Sequence, residues 1–136
     1  MRYGAGSMIE RIDNLGVAVT DLERALVFYR RLGFQVEDRE EVTPSATLAA
    51  GEARLWVFQT RSRAAATRNL SLTDNPPGLD HVSFWVGDVD AAAEGLRTAG
   101  LSLESEPADQ PWGARAASLL DPDGTRIYLL GRPREG

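Results

Sequence analysis

His81 is the only histidine in this 136-residue chain, and there is no cysteine. Acid–base chemistry near neutral pH, for which imidazole is suited, therefore rests on one position. Thiol nucleophiles are excluded. No serine stands in a nucleophile-elbow pattern, so nucleophilic triads are excluded as well. The other residues able to do chemistry are aromatic and cationic: Trp56, Phe58, Trp85, Trp112 and Tyr128, with Arg54 and Arg126. Flat rings stack on planar ligands, and a guanidinium pairs with carboxylates or lies over a ring. The competing reading is structural. Buried aromatics usually fill cores, and a lone histidine can simply bond the backbone.

A duplicated chain positions these residues. Residues 12–33 and 79–100 align without a gap at an offset of 67 (79 − 12 = 100 − 33 = 67). Asp13 meets Asp80, Val19 meets Val86, Asp21 meets Asp88, Ala25 meets Ala92, Arg30 meets Arg97 and Gly33 meets Gly100. Asn14 meets His81. Alternating apolar residues predict strands over 12–19 and 79–86. Thr20 and Glu23 have the spacing of a capping box. Leu22, Ala25, Leu26, Tyr29 and Leu32 follow at helical spacing, up to Gly33 as the expected C-terminal cap. The second copy predicts a helix over 89–98, started by Gly87 or Asp88, and then Gly100. Three shorter strands should follow each helix, over 34–40, 45–50 and 53–60, and over 101–106, 114–120 and 125–131. Asp121-Pro122-Asp123-Gly124 reads as a tight turn. The expected class is α+β: two tandem β-α-β-β-β modules, 9–60 and 79–136, with a connector over 61–78 and a disordered leader over 1–8.

Composition narrows the partners. A length of 136 residues with 43% hydrophobic residues suits one domain in which two half-length modules share a core. The net charge of −5 argues against nucleic acid, which needs clustered cations. All fifteen basic residues are arginine. No stretch is long and apolar enough for a membrane span, and MRYGAGS lacks the apolar core of a signal peptide. Without cysteine there is no disulfide framework. A cytoplasmic protein with a small-molecule ligand, and with neither nucleic-acid nor membrane partner, is expected.

The segments IDNLGVAVTDLERALVFYRRLGF, GLDHVSFWVGDVDAAAEGLRTAG and PWGARAASLLDPDGTRIYLL resemble the vicinal oxygen chelate superfamily. That superfamily includes glyoxalase I, extradiol dioxygenases, and fosfomycin- and bleomycin-resistance proteins. The resemblance covers nearly all of the chain after Met8. It implies that the two modules curl their sheets into an open cup holding the ligand, and that chains pair as homodimers. In metal-dependent members, a histidine on the first strand and usually a glutamate on the last strand of each module hold the ion. Asn14 and His81 stand at the first-strand positions. Aligning Arg54–Phe58 with Arg126–Leu130 at an offset of 72 (126 − 54 = 72) puts Trp56 and Tyr128 at the other two. If that alignment slips, Gln59 is the alternative in the first module. A divalent ion needs several converging N or O donors. An indole has no acceptor, and a neutral phenol is a poor ligand. The expectation is therefore no metal and no other cofactor, with a divalent metal as the alternative.

Strand alternation assigns the rest of the cup. With Asn14 go Gly16 and Ala18; with His81 go Ser83 and Trp85. Arg54, Trp56 and Phe58 share a face, as do Arg126, Tyr128 and Leu130. Leu15, Val17, Val19, Leu55, Val57, Val82, Phe84, Val86, Ile127 and Leu129 are expected on the helix-facing side. Pro111-Trp112-Gly113 is expected to form a lip. An apolar concavity with a few placed polar groups suits a small aromatic molecule. The function expected is metal-free binding of an aromatic or natural-product ligand, as in bleomycin-resistance proteins: antibiotic sequestration or custody of a biosynthetic intermediate. The alternative is an enzyme on such a ligand, either metal-dependent or metal-free. In the metal-free form His81 is the base, Tyr128 the proton donor and Asn14 the oxyanion holder.

Overall fold

The computed structural model describes residues 8–64 and 68–134. The first module comprises β1 (Leu15–Val19), α1 (Leu22–Leu32), β2 (Gln35–Glu40), β3 (Ser45–Ala50) and β4 (Ala53–Gln59). The second comprises β5 (Val82–Gly87), α2 (Val89–Thr98), β6 (Ser105–Asp109), β7 (Arg115–Leu120) and β8 (Arg126–Gly131). One turn of 3-10 helix, Leu72–Asp74, lies in the connector. The expected leader falls outside the described residues, apart from Met8, which is exposed.

The duplication is repeated in hydrogen bonds. The two sheets have the same order, β1-β4-β3-β2 and β5-β8-β7-β6. In each, the first and last strands pair in parallel. Leu15 pairs with Leu55 and Val82 with Ile127, while Gly16 pairs with Trp56 and Ser83 with Tyr128. These registers reproduce both offsets, 67 and 72, and so make Trp56 and Tyr128 structural equivalents. Gln59 is occupied elsewhere: its side-chain oxygen accepts from Leu22 N at 2.9 Å, satisfying one of the free N–H groups at the start of α1.

Several boundaries differ from expectation. The first strands begin at Leu15 and Val82, so Asn14 and His81 precede them. The third-from-last strand runs over 105–109 rather than 101–106. Thr20 does not cap α1. Asp21 does, its carboxylate accepting from Arg24 N at 3.1 Å. Thr20 instead donates its hydroxyl to Asp123 at 2.6 Å, a partner 103 residues away that spacing could not reveal. Asp88 caps α2 in the same way as Asp21 caps α1. Gly33 closes α1 at φ 123°, a conformation that favours glycine.

The helix-facing sides of both sheets feed one core. Val19, Leu55, Val57, Leu119, Ile127 and Leu129 pack with Leu26 and Tyr29 of α1 and Leu96 of α2. Leu15, Val17, Val82 and Phe84 are partly buried against it. Val86 was expected there and is exposed instead. The β5–β8 register shifts between Trp85 and Gly87, and the bulge breaks the period-two alternation on which that expectation rested. Two carboxylates of the β7–β8 turn join the modules. Buried Asp121 accepts from the Tyr29 hydroxyl at 2.8 Å, and Asp123 takes the N–H and hydroxyl of Thr20.

Candidate functional site

On the faces away from the core, alternation leaves small or polar residues next to large rings. Gly16 and Ala18 of β1 are exposed. Beside them Trp56 stacks on Phe58, with ring centroids 4.7 Å apart and planes 27° from parallel. A cavity of about 840 Å³ lies over this face. Asn14, Arg54 and Trp56 line it together with Glu37 and Thr47, and every lining residue comes from the first module or the segment just before it. Arg54 is paired with Glu37 at 3.2 Å.

A second cavity, of about 600 Å³, lies where β1, the connector and the start of β5 meet. Its walls combine the β1 residues Leu15 to Ala18 with Pro76, Leu79, Asp80 and His81. His81 Nδ1 lies 2.7 Å from Asp80 Oδ2. Asp80 Oδ1 accepts from Asn75 Nδ2 at 2.8 Å, and Arg68 stands 3.7 Å away. Asn75 is itself held by reciprocal bonds to the Asn69 backbone, both 2.9 Å. Hydrogen bonding to His81 is the main cause that holds the Asp80 carboxyl below its usual range. The His81 ring meets Tyr128 edge to face at 4.7 Å.

The repeat explains part of this geometry. In the first module Asn14 Nδ2 donates to Asp13 Oδ2 at 2.9 Å. In the second the equivalent pair is His81 and Asp80. The duplicated backbone thus turns each aspartate back onto its neighbour, and only the second copy puts an imidazole there. Period-two alternation with His81, Ser83 and Trp85 on the cup face would point Asp80 away from the site. It does not apply, because β5 begins only at Val82. Adjacency to the one histidine was the available signal for Asp80. Arg68, Asn69 and Asn75 had none, since their proximity comes from the connector folding back.

The remaining candidates are placed as follows. Ser83 and Trp85 lie exposed on β5, with the Arg132 guanidinium 6.0 Å from the Trp85 ring. Trp112 sits exposed at the turn between β6 and β7 and lines neither cavity. Arg126 is buried. Its Nε and Nη2 donate to the two Glu104 oxygens, both at 2.7 Å, and Glu104 also accepts from Ser118. The Arg126 guanidinium holds the Glu104 carboxyl below its usual range. Among the described residues, Arg126 Nη1 is the buried side-chain polar atom without a partner. Within one chain, the structure therefore brings Asn14, Arg54, Trp56 and Phe58 together on one face, and His81 together with Tyr128 on the other.

The four ligand-equivalent positions do not fit a divalent ion. Trp56 offers no lone pair, Asn14 is an exposed amide turned to Asp13, and Tyr128 brings only a phenol oxygen. His81 alone is a good donor, and one imidazole leaves most of a coordination sphere unfilled. Among the described residues no helix is long and apolar enough to cross a membrane.

Comparison with known proteins places this architecture. The model of the Glyoxalase/Bleomycin resistance protein/Dioxygenase superfamily matches residues 11–129. The uncharacterized protein YwkD of Bacillus subtilis is 28% identical, over 90% of this chain and 97% of that protein. A bleomycin-binding protein complexed with bleomycin superposes with a TM-score of 0.66 at 22% identity, over 90% of this chain and 99% of that one. A lactoylglutathione lyase from Agrobacterium tumefaciens does so with a TM-score of 0.68 at 18% identity, over 92% and 96%. At these identities the two structures share the fold, and one fold thus serves both a binder and a lyase.

Proposed function

Because the chain belongs to the glyoxalase/bleomycin resistance protein/dioxygenase superfamily, we propose that it is a metal-free small-molecule-binding protein. It holds an aromatic ligand, an antibiotic or a biosynthetic intermediate, against the open faces of its sheets. The observation that carries this reading is the exposure of tryptophan on those faces. Trp56 is 41% exposed while stacked on Phe58, and Trp85 is 62% exposed. Large exposed rings, with Trp56 in the wall of a cavity that also holds a few polar groups, are what a planar ligand needs. The poverty of the donor set supports the metal-free part. The first cavity has walls from one module only, which supports a homodimer in which a second copy supplies the facing wall. Such a protein belongs in the cytoplasm, where cell fractionation would locate it.

Calorimetric titration with bleomycin and with 2-naphthol tests the reading. Saturable binding, weakened by Trp56→Ala or Trp85→Ala, with the ligand recovered unchanged, is expected. Failure of both probes to bind would remove it. Stoichiometric zinc, iron, manganese or nickel that is lost on His81→Ala would overturn the metal-free part, and a monomer by light scattering would overturn the homodimer.

One observation favours a second reading. The Asp80–His81 bond beside Tyr128 is the arrangement of a general base held in place by a carboxylate. Metal-free proton transfer on the bound ligand, with His81 as base and Tyr128 as proton donor, follows from it. Asn14 lines the other cavity of the same chain and is not part of this arrangement. Product formation abolished by His81→Ala would establish this reading in place of binding alone.

A further inference from the structure

We infer that Asp80 is a positioning residue that fixes the His81 ring as a hydrogen-bond acceptor, so that the cavity selects aromatic ligands bearing a hydroxyl. The inference rests on the binding function proposed above and adds to it the class of ligand.

An ionised carboxylate can only accept, so the 2.7 Å contact requires the proton to sit on His81 Nδ1. In the neutral ring the lone pair is then on Nε2. Nε2 has no hydrogen-bond partner among the described residues. The imidazole lines the 600 Å³ cavity, and its side chain is 29% exposed. The carboxylate cannot turn away freely. Asn75 and Arg68 hold its other oxygen, and Asn75 is in turn fixed by two bonds to Asn69. Tyr128 fixes one side of the ring. The result is an acceptor of set direction in a cavity whose β1 wall is largely aliphatic. A phenol or enol fills it with its O–H. An ether of the same shape brings a second acceptor against Nε2 and loses the bond.

Because the chain has one histidine, 15N-histidine labelling gives the spectrum of His81 alone. At mildly alkaline pH the wild-type protein should show the Nδ1–H tautomer, and Asp80→Ala should lose it. Asp80→Asn, which keeps the shape and an acceptor oxygen, should retain part of it. Titration of the wild type with 2-naphthol and 2-methoxynaphthalene should favour the naphthol about tenfold, the worth of one good hydrogen bond. Asp80→Ala should bring the ratio near one. An Nε2–H tautomer in the wild type overturns the inference whatever binds. Equal affinity for the two probes overturns the ligand class and leaves the binding function standing. Failure of both to bind, with the Nδ1–H tautomer present, overturns the ligand class and leaves the positioning of His81; the binding function falls with it only where bleomycin also fails to bind.

Discussion

Trp85 and Glu104 show how differently single residues can act in this chain. Trp85 is 62% exposed, so its truncation should cost the fold little. Trp85→Ala is expected to stay within about 0.5 kcal/mol of wild type in urea denaturation, while binding of an aromatic probe weakens severalfold. Glu104 acts on the fold. Its removal leaves the Arg126 guanidinium, 3% exposed, buried and unpaired. Glu104→Ala should therefore lose about 3 kcal/mol in the same denaturation experiment. The sign of the pH dependence follows. Glu104 has a folded pKa below its unfolded one, so its contribution is present above the ordinary carboxylate value and lost as pH falls through the folded value. Asp80 and Asp90 share that direction. Asp121 has the opposite direction, because burial raises its pKa, and it offsets part of the acid limb. Melting temperature should thus fall below about pH 4 in the wild type, and less steeply in Glu104→Ala.

The helix start and the strand ends carry predictions at the level of elements. Local spacing selected Thr20 as the cap, and the structure uses Asp21. Asp21→Ala should cost about 1 kcal/mol through the lost cap. Thr20→Ala should also destabilise, but through Asp123, and a double substitution with Asp123→Ala should show coupling between them. The end of β8 depends on a missing side chain. A Cβ on Gly131 would lie 2.5 Å from the Gly87 carbonyl oxygen, which is backbone and cannot step aside. Gly131→Ala is expected to open the β5–β8 pairing, read as loss of amide protection across Val82–Trp85. Alternation along one strand holds no information about where a neighbouring backbone comes too close.

At the scale of the whole molecule, two modules are joined by a shared core and a few buried polar bonds. Tyr29 and Asp121 are the main polar link, and they lie 92 residues apart. Tyr29→Phe leaves Asp121 with its backbone donors from Asp123 and Thr125 but without the hydroxyl. A loss of about 2 kcal/mol is expected. Burial, with the Asp121 charge beside it, raises the Tyr29 pKa in the folded protein. That contribution is present below about pH 10 and lost as pH rises beyond the unfolded tyrosine value. Alkaline melting curves should therefore show a fall in stability above pH 10 in the wild type that is reduced in Tyr29→Phe.

The duplication, the α+β class and most strand limits are legible in the residues alone, because they depend on period, turn chemistry and repeat, which are properties of neighbours along the chain. The equivalence of Trp56 with Tyr128 is legible as well, since the repeated register preserves it. The partners of His81, the burial of Arg126 on Glu104, and the division of the site into two faces were decided by the tertiary structure. Each depends on groups brought together across a turn, a connector or a module boundary. Asp80 is the clearest case: it stands next to His81 in sequence, yet only a strand that begins at Val82, and a connector that returns Asn75 and Arg68, turn it onto the ring.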